Sequence, residues 1–183
     1  MCAAVAVITG CPPHEPSSSS ENGKQLYDKY CALCHAEDAK GYAADNANQL
    51  ANDTFLATVT DKLLFTAIDR GRRGSPMAAY GKDYGGPLGH SDINKIIGYL
   101  RGLQRVKSVA VSSLAVPGDA AAGAAIYASE CKGCHGPRGD GSKQAPSVSK
   151  PLFLATASDG FLRYAIEKGR PTTPMPAFEG KLT

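Results

Sequence analysis

Apolar positions along this chain fall at helical spacing in several short stretches, separated by long polar connections rich in Gly and Pro. Leu63, Leu64, Ala67 and Ile68 form one set, behind Thr60 as an N-cap and ahead of Gly71 as a helix end. Phe161, Leu162, Ala165 and Ile166 repeat it between Ser158 and Gly169. Ile93, Ile96, Ile97, Leu100 and Leu103 make a longer 3.6-residue stripe over residues 92–103, capped by Ser91. His90, just before that cap, is expected to be structural or solvated. Short helices are expected over residues 21–34 and 121–134. Residues 38–52 and 138–150 read as irregular, with Gly139 and Gly141 as turn residues. The pattern predicts an all-α protein.

The stretches belong to a duplication. Tyr27-Asp28-Lys29-Tyr30-Cys31 corresponds to Tyr127-Ala128-Ser129-Glu130-Cys131 at an offset of 100. FLATVTDKLLFTAIDRGR from Phe55 matches FLATASDGFLRYAIEKGR from Phe153 at an offset of 98, which also carries Met77 onto Met175. The chain therefore divides into a Pro/Ser-rich leader and tether at 1–20, one domain at 21–104, a partly extended linker at 105–118 and a second domain at 119–183. The stripe at 92–103 has no counterpart after Met175, so the second domain is expected to lack its last helix. Ile126 and Tyr127 then lack a packing partner. A helix continuing past Thr183, another subunit or the first domain is expected to cover them.

Composition adds a constraint. With 43% hydrophobic and 20% charged residues the chain is that of a folded protein, yet two domains of this size have thin cores that usually need outside help. Residues 21–104 carry ten basic and ten acidic side chains, and residues 105–183 ten against six. No basic tract interleaved with aromatics is present, which excludes a single-stranded nucleic-acid groove.

The six cysteines decide the chemistry. Cys31-Ala-Leu-Cys34-His35 and Cys131-Lys-Gly-Cys134-His135 each supply two thiols for thioether bonds and an imidazole for iron, the signature of covalent haem attachment. Zinc is a weaker reading, because a histidine adjacent to the second cysteine is poorly placed for the same tetrahedron. A redox dithiol explains neither histidine nor the duplication. Beyond Met1 the chain has only Met77 and Met175, both preceded by proline and both in the same repeat position. They are the candidate distal ligands, and His/Met pairs raise haem potential.

On these motifs both units resemble class I cytochrome c domains, in tandem as in bacterial dihaem cytochromes c. The resemblance implies two covalent haem c groups, held by Cys31, Cys34, Cys131 and Cys134, with His35, Met77, His135 and Met175 on the irons. It implies propionate contacts from Arg72 and Arg170, and an aromatic role for Tyr27 and Tyr127 in packing the first helix against the last. It further implies single-electron transfer between membrane redox complexes in the periplasm. Lys132, inside the second attachment motif, is a candidate docking contact. One alternative is an electron-transfer subunit fixed in a respiratory or photosynthetic complex. Another is a dihaem oxidoreductase such as a peroxidase or sulfur-compound oxidase, which needs an openable haem position. At the N-terminus, Ile8-Thr9-Gly10-Cys11 resembles a bacterial lipobox, implying a lipid anchor on Cys11 at the outer face of the cytoplasmic membrane. The apolar run there is too short to span a bilayer.

Overall fold

Every helix of the first unit is short, so its ends matter. The computed structural model describes residues 19–42, 44 and 46–182; Cys11 lies outside them. α1 (Gly23–Tyr30) opens with a capping box, in which the Asn22 side chain accepts from the Gln25 N–H and the Gln25 side chain accepts in return from the Asn22 N–H. α2 (Ala32–His35) follows a break at Cys31. α3 (Asp53–Leu56) starts on Asn52, whose side chain accepts from the Phe55 N–H. α4 (Asp61–Arg70) has the expected Thr60 cap and ends at Gly71, which takes φ +66°. A 3-10 turn (Lys82–Tyr84) then leads to α5 (His90–Gly102).

The start of α5 departs from expectation. The helix begins at His90 behind Gly89, with no side-chain cap, and Ser91 lies within its first turn. Asp92, buried there, accepts from the backbone and hydroxyl of Ser19 instead, which ties the entering chain to this helix. His90 sits 3.3 Å from Asp83 and edge-on to Phe65, so it is a structural surface residue.

The second unit repeats the order as α6 (Ala120–Ile126), a π turn (Tyr127–Cys131), α7 (Lys132–His135), α8 (Pro151–Thr156) and α9 (Asp159–Lys168). Ser158 caps α9 and Gly169 ends it, as the sequence predicts. Short α3 and α8 were not foreseen, because four to six residues carry too little periodicity to register. The described residues contain no strand, only an isolated bridge between Gly81 and Leu88. No helix follows Met175 within them.

The core of the first unit is the crossing of α1 and α5. Leu26, Tyr27, Ile93, Ile96 and Leu100 are almost completely buried, each such side chain contributing about 1.5–3 kcal/mol. The rings of Tyr27 and Tyr99 meet at 5.1 Å. Gly23 makes the crossing possible: a Cβ there would collide with the Lys95 carbonyl. The repeat counterpart Gly123 faces open space, and the rest of α6 before Ile126 is exposed.

The two units dock reciprocally. The Arg72 guanidinium lies 5.0 Å from the Phe153 ring of the other unit, and Arg170 lies 5.7 Å from Phe55, the residue corresponding to Phe153. Phe55 and Phe161 meet edge to face at 6.1 Å. Asn52 donates to the Pro171 carbonyl at 2.7 Å, and Thr54 to that of Gly169 at 3.0 Å. The connector straps both units: the Val109 N–H donates to the Ala57 carbonyl, and the Val116 N–H to the Asp159 carboxylate.

These packing differences predict opposite outcomes for one substitution. Gly23→Ala should destabilise the holoprotein by about 1–3 kcal/mol through overpacking. Gly123→Ala should be neutral or stabilise it by up to about 1 kcal/mol through helix propensity. Urea denaturation of both variants checks this, and an equal loss in Gly123→Ala would mean that the α6 face is covered in solution.

Candidate cofactor sites

The break between α1 and α2 turns Cys31, Cys34 and His35 onto one wall of a cavity of about 440 Å³, a volume within the usual range for cofactor pockets. Met77 and Tyr80 line it from the loop after α4, and Leu64, Ile68 and Leu100 supply apolar walls. Sequence reasoning placed the thiols, imidazole and methionine together, and the structure brings them to this one cavity. Arg72 lines it as well, the only guanidinium there among the described residues. In the second unit Cys131 and His135 are half-buried and Cys134 is exposed, so that site is more open.

The His35 ring is held from one side. Its Nδ1 lies 2.9 Å from the Asn48 carbonyl, an interaction that fixes the proton on Nδ1 and leaves the Nε2 lone pair free. Burial pushes its pKa below the ordinary value, partly opposed by that backbone contact, with Arg72 adding a smaller push in the same direction as burial. A lowered pKa favours the neutral ring, the form of imidazole that binds metals. His135 repeats the arrangement, its Nδ1 lying 3.0 Å from the Pro146 carbonyl. Neither carbonyl could be found from sequence, since backbone acceptors leave no residue-type signal.

The backbone after each histidine is held by a tyrosine. Tyr27 donates to the Ala36 carbonyl at 2.8 Å, and Tyr127 to the Gly136 carbonyl at 2.7 Å. Ala36 takes φ +65°, a left-handed conformation that costs a non-glycine residue about 1–2 kcal/mol. The buried Tyr27 hydroxyl offsets part of that cost. The sequence marked both tyrosines as packing aromatics, and their hydroxyl role becomes visible only once the turn is folded.

Cys31 is unlike the reactive thiol of a redox dithiol. Burial, reinforced by Cys34, pushes Cys31 up to about 12, so it is a protonated thiol in a dry wall rather than a reactive thiolate. Cys131 is also raised, first by burial and then by Glu130. Among the described residues no cluster of three or more His, Cys, Asp or Glu side chains could hold a metal ion by itself. Two thiols, one neutral imidazole, a thioether and a cation around an apolar cavity fit haem c.

The chain carries two cytochrome c domains in tandem and two covalently bound haem c groups. Residues 20–104 match the cytochrome c family, and residues 118–183 the family described as cytochrome c oxidase, cbb3-type, subunit III. Among individual proteins, the chain is similar to the cbb3-type cytochrome c oxidase subunit FixP of Bradyrhizobium sp. (strain ORS 278), 32% identical over 168 residues, or 87% of this chain and 54% of that protein. FixP of Bradyrhizobium diazoefficiens is 30% identical, with 87% and 54% covered. The corresponding subunit CcoP of Azospirillum sp. (strain B510) is 27% identical, with 87% and 56% covered. The chain spans about half the length of these curated relatives. A chain of the reducing HAO-like protein complex of Kuenenia stuttgartiensis aligns with a TM-score of 0.49 at 22% identity, covering 92% of this chain and 91% of that one.

Covalent attachment predicts a simple mass result. Denatured holoprotein should carry the added mass of two haems, and a Cys31→Ser/Cys34→Ser variant that of one. Intact mass spectrometry reads both, and an unchanged mass in the variant would place the attachment elsewhere.

Proposed function

We propose that this chain carries single electrons by outer-sphere transfer to or from a membrane-bound redox complex, and is not itself an enzyme. The observation carrying this reading is the pairing of His35 with Met77 around one cavity, repeated in sequence by His135 and Met175. Haem supplies one-electron exchange between Fe(II) and Fe(III) when bound. Cys31 and Cys34, and likewise Cys131 and Cys134, would anchor it through thioethers. His35 and His135 would donate Nε2, and Met77 and Met175 their sulfurs. With a histidine and a methionine both bound to each iron, no coordination site would remain for peroxide or oxygen, which argues against the oxidoreductase alternative. Arg72 and Arg170 would meet propionates at the boundary between the units. The apolar walls of the first cavity would keep water from a bound haem and so limit the reorganisation that accompanies a change of iron charge.

The shuttle has a close competitor in the fixed subunit. It is supported by the relatives, which are described as subunits of cbb3-type cytochrome c oxidase. Under either reading the domains sit on the periplasmic side, with electrostatics steering docking more than tightening it. No helix of the described residues is long and apolar enough to cross a membrane, and lipidation of Cys11 would provide the anchor. Lys132, exposed beside Cys131, remains a docking candidate. Purification from detergent-solubilised native membranes separates the two readings: oxidase subunits travelling with the chain favour the fixed subunit, and recovery alone favours the shuttle.

Two further outcomes follow. Met77→Ala and Met175→Ala should each lower the potential of one haem by on the order of 100 mV, a small part of the roughly 0.8 V that axial ligands span, and open that iron to carbon monoxide. A variant that titrates like the parent would return its methionine to a packing role. Protein isolated from its natural host should begin at Cys11 with several acyl chains, since one chain alone binds membranes only reversibly. A mature chain retaining Met1 unmodified would contradict the anchor.

A further inference from the structure

The cavity of the first unit is not built by that unit alone. Asp140, Ala145, Pro146 and Lys150 of the second unit line it too, all from the segment that follows the second attachment motif. Lys150 is the notable member. Its ammonium lies 3.1 Å from where a Cβ on Gly74 would stand, on the turn leading to Met77. Gly74 takes φ +79°, and its missing side chain leaves the room that Lys150 occupies.

Two cations, Arg72 and Lys150, therefore line one apolar cavity. Neither is within ion-pair distance of a carboxylate among the described residues. Among the described residues one acidic side chain, Asp140, shares the wall, 3.5 Å from Arg138. Two cations against apolar surface are more favourable when the cavity's occupant brings negative charge. A haem brings two propionates.

The repeat makes the arrangement one-sided. The counterpart of Lys150 is Asn52, a neutral amide that donates to the Pro171 carbonyl. The counterpart of Gly74 is Thr172, also left-handed at φ +68°, whose hydroxyl donates to the Gln49 side chain at 3.1 Å. The first unit thus presents no cation to the second at the equivalent place.

We propose that Lys150 reaches across the domain boundary to hold a propionate of the haem in the first unit, and so raises that haem's potential without acting on the other. This rests on reading the cavity as a haem site. A cation beside the haem disfavours the extra positive charge of Fe(III), so removing it lowers the potential.

The test is a spectroelectrochemical titration of the holoprotein, with potentials assigned to units through Met77→Ala and Met175→Ala. Lys150→Gln should lower the reduction equilibrium constant of the first haem about two- to fivefold, the range of a partly exposed ion pair. The second haem should stay at the parent value, and Lys150→Arg should restore the first. Raising ionic strength should shrink the difference between Lys150→Gln and the parent. Lys143→Gln, an exposed lysine in the same segment, should move neither haem. No shift in Lys150→Gln, an equal shift in both haems, or the same shift in Lys143→Gln would overturn the proposal. If Lys150→Gln fails to retain the first haem, retention in Lys150→Arg supports it and loss in both variants overturns it. Failure of the methionine variants to move either potential would instead sink the ligand assignment.

Discussion

The crossing of α1 over α5 is the contact on which the first unit depends. It brings two backbones together where Gly23 has no side chain, and buries Leu26, Tyr27, Ile93, Ile96 and Leu100 between them. Tyr27 links this packing to the chemistry. Its ring is locked against Tyr99, and its hydroxyl holds the strained turn after His35. The Asn48 carbonyl then fixes the imidazole. A core contact, a buried hydroxyl and a backbone acceptor thus together hold the imidazole of His35.

The second unit keeps the local parts without the crossing. Tyr127, the Gly136 carbonyl and the His135–Pro146 contact are all in place, yet α6 packs on no α5 counterpart among the described residues. What this unit has instead is the docked surface. Phe161 and Ala157 join the hydrophobic core of the first unit, and Arg170 stacks on Phe55 and Phe161. A thin domain recovers burial from its neighbour, and the cavity of the first unit is in turn closed partly by the second. The duplication has therefore produced unequal partners: similar attachment motifs in settings that differ in enclosure and in nearby charge.

Much of this was legible in the sequence where side-chain type alone carries the signal. The caps at Thr60 and Ser158, the helix ends at Gly71 and Gly169, and the gathering of Cys31, Cys34, His35 and Met77 around one cavity are of that kind. Ser91 misled, because a good capping residue stood in the first turn of a helix that begins at His90, behind a glycine that offers no side-chain cap. The Asn48 and Pro146 carbonyls were invisible, as backbone acceptors always are. Arg72 and Arg170 were read for a propionate role, but their stacking on the opposite unit could not be read. That contact depends on how two folded units dock, and local periodicity carries no information about docking.

The most direct test of a two-haem electron carrier is a redox titration of the holoprotein followed by visible spectroscopy. Two one-electron steps are predicted, both at potentials typical of His/Met ligation. The oxidised form should carry the weak methionine–iron band near the red end of the spectrum at an intensity corresponding to both haems, and the band should vanish with each reduction. A single step, or a second haem that is five-coordinate or bis-histidine in the oxidised protein, would contradict the account.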